Sequence, residues 1–252
     1  MTPEVLWSFG RIGNVSVSPD GSKAVYDITY FNKEEDRGYS DLYLMNLPEG
    51  QTTRLTDTDY NESDAGWTPD GKFITYLAKG QLWEMNPDGS NPRQVTDIPD
   101  GINGYVYAPD MSKIVYLKDV QLEPTVQDLY PDLPKAKARI VDDQFYRHWN
   151  DWVDAYTHLF IADYVPAQPI TTGKDIMEGE RWESPVRPWG GVEQLAWTKD
   201  GKKLIYTCRK KIGIDYAEST NTDLYAYNTE NGETVNLTEG MMGYDKNPVI
   251  SP

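Results

Sequence analysis

Apolar and polar positions alternate along this chain in short runs, and the runs come in sets of four. Ahead of a tight polar turn lies one run: Val15-Ser16-Val17, Ala65-Gly66-Trp67, Tyr105-Val106-Tyr107 and Leu195-Ala196-Trp197. Behind the turn comes a second: Ala24-Val25-Tyr26, Phe73-Ile74-Thr75-Tyr76, Ile114-Val115-Tyr116 and Leu204-Ile205-Tyr206. A third follows as Leu42-Tyr43-Leu44, Leu82-Trp83-Glu84-Met85, Leu159-Phe160-Ile161 and Leu224-Tyr225-Ala226. The fourth ends in a repeated signature, Leu55-Thr56-Asp57, Val95-Thr96-Asp97 and Leu237-Thr238-Glu239. A period of two over four to six residues is the pattern of a strand. The imperfect alternation of the third runs suits sheets covered on both faces.

The turns between first and second runs are themselves a repeat: Ser18-Pro19-Asp20-Gly21, Thr68-Pro69-Asp70-Gly71, Ala108-Pro109-Asp110-Met111 and Thr198-Lys199-Asp200-Gly201. Pro presets the first corner, Asp bonds nearby backbone and Gly accepts positive φ, so each copy joins two strands in a hairpin. The copies lie 50, 40 and 90 residues apart, and Ser251-Pro252 opens like a fifth, 53 residues on. A period near 40 to 50 residues is that of a four-stranded blade, and the 90-residue gap is one blade carrying an insertion. The expected fold is all-β: an incomplete β-propeller of four four-stranded blades plus the first strand of a fifth, with one helical insertion in the third blade. The blades fall at about 13–58, 63–98, 102–173 (insertion 121–155) and 192–240, and a fifth begins over 243–252. A β-sandwich also offers short strands, but gives no reason for one four-part pattern to recur. The half copy at the end is the expected mark of a piece of a longer polypeptide.

Within the insertion, Lys135 to Ala155 holds no Pro or Gly, and Val141, Phe145, Trp149 and Trp152 step by 4, 4 and 3. That spacing predicts a helix with one apolar face, which either packs back on its own propeller or binds something else. His148 and Asp151 could begin a metal site, but the only other histidine is His158, on a strand, with no cysteine near; a structural histidine is the better reading. No metal and no cofactor are expected. Asp57-Thr58-Asp59-Tyr60-Asn61 opens like a calcium loop, then puts Glu62 where Gly is needed and Thr68 where Glu is needed.

Composition adds exclusions. The net charge of −16 disfavours nucleic acid and anionic membranes, and no apolar run is long enough to span a bilayer. The one cysteine, Cys208, cannot form an internal disulfide and reads as a buried thiol. No Gly-x-Ser-x-Gly elbow occurs, and no histidine follows His158 to complete a hydrolase triad. By itself, this chain does not read as a catalyst.

Four further segments narrow the reading: Met1 to Gly13, Phe145-Tyr146-Arg147-His148-Trp149-Asn150-Asp151-Trp152, Ala217 to Tyr225, and Gly240 to Pro248. With these, the chain resembles, over essentially its whole length, the N-terminal propeller of bacterial dipeptidyl aminopeptidases and acylaminoacyl peptidases of the prolyl oligopeptidase family. The resemblance implies a propeller that screens peptide substrates for a C-terminal α/β-hydrolase domain carrying a Ser-Asp-His triad, none of which falls in this chain. It implies a parent enzyme that releases dipeptides or blocked residues from peptide N-termini, in the periplasm or secreted, with the cytoplasm as the alternative. Candidate substrate-binding residues are His148, Trp149, Asp151 and Trp152, with Asp151 suited by charge to a peptide amine. An open ring also predicts self-association through its uncovered edges. The other reading is a free-standing TolB-like propeller that binds protein or peptide without catalysis.

Overall fold

A computed structural model describes residues 1–141 and 152–251. After a short helix, α1 (Pro3–Ser8), the first sheet comprises β1 (Arg11–Val17), β2 (Lys23–Asn32), β3 (Arg37–Asn46) and β4 (Thr52–Arg54). The second comprises β5 (Glu62–Trp67), β6 (Ile74–Ala78), β7 (Gln81–Met85) and β8 (Arg93–Gln94). The third has β9 (Gly104–Tyr107), β10 (Lys113–Val120), β11 (Tyr156–Asp163) and β12 (Lys174–Asp175), with one-turn α2 (Val126–Leu129) between β10 and β11. The fourth has β13 (Leu195–Trp197), β14 (Lys203–Cys208), β15 (Asp223–Asn228) and β16 (Thr234–Asn236), with α3 (Gly213–Glu218) between β14 and β15. Every sheet is four strands in sequence order, the plan of a propeller blade.

Three of the four repeated turns are built alike. Ser18, Thr68 and Thr198 donate their hydroxyls to Asp20, Asp70 and Asp200 at 2.6, 2.8 and 2.6 Å. Each aspartate also accepts the backbone N–H two residues on, from Ser22, Lys72 and Lys202 at 3.0 to 3.2 Å. Gly21, Gly71 and Gly201 take φ of +73, +70 and +66°, a region open to glycine without steric cost. In the third copy Ala108 has no hydroxyl to offer, and Met111 occupies the glycine position at φ +59°.

The fourth-strand signature has a structural reason as well. The hydroxyl oxygens of Thr56, Thr96 and Thr238 accept the backbone N–H of Leu42, Leu82 and Leu224 at 2.9, 2.9 and 3.1 Å. The threonine thereby continues the ladder past the point where β4, β8 and β16 end.

The chain divides into two compact units, Met1–Ile114 with Ala162–Gly173, and Val115–Ile161 with Lys174–Pro252. In the first, Val25 and Leu42 pack with Ala65, Ile74, Tyr76 and Met85 in one buried cluster. Polar staples join its first strands: Asn14 Nδ2 donates to the Ala65 carbonyl at 2.9 Å, and Trp67 Nε1 to that of Ser16 at 3.2 Å. Glu84 is fully buried and fully engaged. It accepts from Arg93 Nε and Nη2 at 3.0 and 2.6 Å, from Tyr107 at 2.6 Å and from Tyr164 at 2.8 Å. In the second unit Tyr116 stacks on Phe160 and Tyr206 on Tyr225, over buried Leu159 and Leu204.

Most of the expected insertion helix falls on residues 142–151, which lie outside the described residues; the flanking residues 136–141 and 152–154 have no regular structure. Arg139 Nε and Nη2 bind Asp154 at 2.8 and 2.7 Å. The only described helix of the insertion is α2, started by a capping box of Thr125 and Asp128. Residues 245–250, expected as the first strand of a fifth blade, form none. Their hairpin partner would follow residue 252. The segment is held at the start of β15 instead, where Thr222 N–H donates to the Gly243 carbonyl at 3.0 Å and the Thr222 hydroxyl to that of Asp245 at 2.8 Å.

Candidate functional site

The two ends of each sheet are built differently. At one end β1–β2, β5–β6, β9–β10 and β13–β14 are joined by tight repeated turns. At the other end lie the second-to-third connections and the entry to the first strand. There the second sheet needs only Lys79-Gly80, but the third spends residues 121–155 and the fourth residues 209–222. The first sheet instead lengthens both strands, so that β2 and β3 have ten residues each against five each for β6 and β7. Most of what sets the chain apart from a generic blade repeat falls at this elaborated end. It includes α1, the 121–155 insertion, and the α3–β15 junction with the 243–245 segment bonded to it. Function concentrates in such connections when a rigid scaffold presents them.

In the second unit this end is dense with paired charge. Asp119 accepts the Thr157 hydroxyl at 2.6 Å and Arg187 Nη2 at 3.0 and 3.2 Å. Arg187 Nε lies 3.6 Å from buried Glu183, which also accepts the Tyr216 hydroxyl at 3.2 Å. Arg181 pairs with Glu123 at 3.0 Å, tying the insertion to the segment ahead of β13. Arg139, bonded to Asp154, also lies over the Trp152 ring at 5.0 Å. The Arg139 hydrogen bonds hold the Asp154 carboxyl below the usual carboxylate range.

Of the candidate substrate-binding residues, His148, Trp149 and Asp151 lie outside the described residues. Trp152 is half-exposed beneath Arg139, at the point where the insertion's two limbs meet. Sequence reasoning missed Asp119, Arg139, Asp154, Glu183 and Arg187. The available signal was connection length: 35 residues where a sister blade uses two.

Among the described residues this arrangement fixes charges and aromatic faces. His158, fully buried, has Nδ1 2.8 Å from Asp175 and Nε2 3.0 Å from the Glu180 carbonyl, so both ring nitrogens are engaged structurally. Cys208 is buried and its thiol is pushed well up by desolvation; it donates weakly to the Glu183 carbonyl at 3.4 Å. Among the described residues no three His, Cys, Asp or Glu side chains converge as metal ligands. Nor is any described helix long and apolar enough to cross a membrane.

Comparison with known proteins gives the context. No protein-family model matches the chain. It is 42% identical to dipeptidyl-peptidase 5 of Porphyromonas endodontalis and 41% to that of Porphyromonas gingivalis, over all of this chain and 37% of each relative. The chain thus spans little more than a third of the length of the curated relatives it matches. In fold it is similar to acylaminoacyl peptidase of Pyrococcus horikoshii, with a TM-score of 0.63 and 16% identity over 93% of this chain and 33% of that one. TolB of Acinetobacter baumannii follows the same architecture more loosely, with a TM-score of 0.50 and 18% identity over 89% of this chain and 42% of that one. Over its whole length the chain is thus similar to one part of dipeptidyl-peptidase 5, and its fold is that of an N-terminal propeller portion.

Proposed function

We propose that this chain is the substrate-gating and pocket-forming part of a serine exopeptidase that releases dipeptides or blocked residues from peptide N-termini. The chemistry then resides in a hydrolase domain outside these 252 residues. The observation that carries the reading is the match of the whole chain, at 42% identity, to only 37% of a dipeptidyl-peptidase. The concentration of fixed charge and aromatic surface at one end of the sheets agrees with it. The net charge of −16 suits a free peptide amine, and the insertion carries Asp151 next in sequence to Trp152, whose ring lies under Arg139.

The test is kinetic. In the full-length protein, Asp151→Ala and Trp152→Ala should each lower kcat/KM for a dipeptidyl chromogenic substrate by roughly tenfold, about 1.4 kcal/mol of lost transition-state binding. Asp151→Ala should act mainly through KM. Unchanged kinetics in both variants would remove the insertion from the substrate pocket.

A further inference from the structure

The insertion between β10 and β11 carries an exposed basic stretch with little to hold its backbone. Residues 127–141 are all exposed except the partly buried Ala136. Within them Lys135, Lys137 and Arg139 alternate with Ala136 and Ala138. Ala136 is the last anchored residue: its N–H donates to the Leu133 carbonyl at 2.9 Å, and its own carbonyl accepts from Gln127 Nε2. Beyond it, residues 137–141 make no backbone–backbone hydrogen bond among the described residues. An endopeptidase must draw several residues of unpaired chain into its cleft, so exposed, unbonded connections are where chains are nicked.

The three cationic side chains are not equivalent. Arg139 is committed, with Nε and Nη2 on Asp154 and its guanidinium over the Trp152 ring. Lys135 follows Pro134, whose ring fixes the backbone on that side, and precedes the anchored Ala136. Lys137 has neither restraint, and among the described residues it enters no ion pair or ring contact. Other exposed cations sit on structured backbone. Lys199 and Lys202 belong to a tight turn closed by Asp200. Lys210 lies over Trp182 and Tyr225 at 5.5 and 4.4 Å. Lys246 follows Asp245, whose carbonyl accepts the Thr222 hydroxyl.

We infer that the Lys137–Ala138 bond is a processing site for a Lys/Arg-specific endopeptidase of the trypsin class. The step is hydrolysis. Water adds across the amide, its hydroxyl to the Lys137 carbonyl carbon and its proton to the Ala138 nitrogen, leaving a Lys137 carboxylate and an Ala138 ammonium. Both new ends stay tied. Upstream, Glu123 pairs with Arg181 at 3.0 Å, and Thr125 and Asp128 close their capping box. Downstream, Arg139 is one residue past the new terminus and remains on Asp154. The two parts also share a sheet, because β10 before the cut is bonded to β11 after it. Cleavage therefore converts the insertion from a closed loop into two limbs without releasing either part.

The experiment is limited proteolysis of the full-length protein by trace trypsin in native buffer, followed by N-terminal sequencing and intact mass. The first new N-terminus should be Ala138. The two fragments should elute together in native size-exclusion chromatography and separate only in urea. Lys137→Gln should lose that terminus, with circular dichroism showing the fold retained. A first cut anywhere else would overturn the inference, as would wild type surviving as long as Lys137→Gln. Fragments that separate in native buffer would overturn it too.

Discussion

The smallest unit of this structure is a hydroxyl, a carboxylate and a glycine closing a turn. Where all three are present, the aspartate is held low: the Ser18 hydroxyl, helped by the Ser22 N–H and hydroxyl, lowers Asp20 to about 2. The Thr198 hydroxyl likewise lowers Asp200. In Asp110 the Ser112 N–H lowers the pKa without a preceding hydroxyl. A depressed folded-state pKa means that the unfolded chain binds more protons in acid. These turns therefore contribute fully above the unfolded value near 4, and the contribution is lost as pH falls toward about 2. Thermal melts of wild type and Asp20→Asn should diverge at pH 6 and converge by about pH 2; a constant gap would refute the turn's role. The glycine position gives a second prediction. Gly21→Ala, with open space around its Cβ but φ at +73°, should cost about 1 kcal/mol. Met111→Gly, relieving the same conformation, should be neutral or stabilising in denaturant titrations. A clear loss at Met111 would show that its side chain matters more than its backbone. These turns were legible in the sequence because Pro, Asp and Gly act locally. The threonine of the fourth-strand signature was visible as a repeat, but its partner, a backbone N–H fourteen residues earlier, was not.

At the scale of elements, strands were readable and connections were not. The period-two runs mark β1–β3, β5–β7, β9–β11 and β13–β15, because a strand's apolar faces are dictated by its two neighbours. The insertion shows the opposite case. Its 4, 4, 3 spacing falls largely on residues outside the described ones, and no local periodicity reports that Arg139 and Asp154, fifteen residues apart, meet. Glu84 shows the same limit in the core. Nothing in Leu82-Trp83-Glu84-Met85 announces a buried carboxylate whose partners come from β8, β9 and the residue after β11. Burial there makes the pairing costly to break. Arg93→Ala would leave the charge with only the two tyrosine hydroxyls, and should destabilise the protein by roughly 3 kcal/mol. Glu84→Gln with Arg93→Ala should recover part of that loss. If the double variant is no better than the single one in urea unfolding, the ion pair is not what holds this junction.

At the scale of the whole molecule, the blade repeat named an architecture and not an activity. The fold class was legible because the four-part pattern recurs. The family resemblance came from segments outside the four-part repeat. The first sheet exposes Val15 and Val17, and the fourth exposes Val235 and, just after β16, Leu237. The central claim is a division of labour: access and pocket walls here, bond cleavage elsewhere in the polypeptide. The most direct measurement compares the full-length protein with residues 1–252, the latter shown folded by circular dichroism, on a dipeptidyl chromogenic substrate. The account predicts hydrolysis by the full-length protein that is abolished by a serine-directed fluorophosphonate, and none by residues 1–252. Turnover by the folded 252-residue chain alone would contradict it.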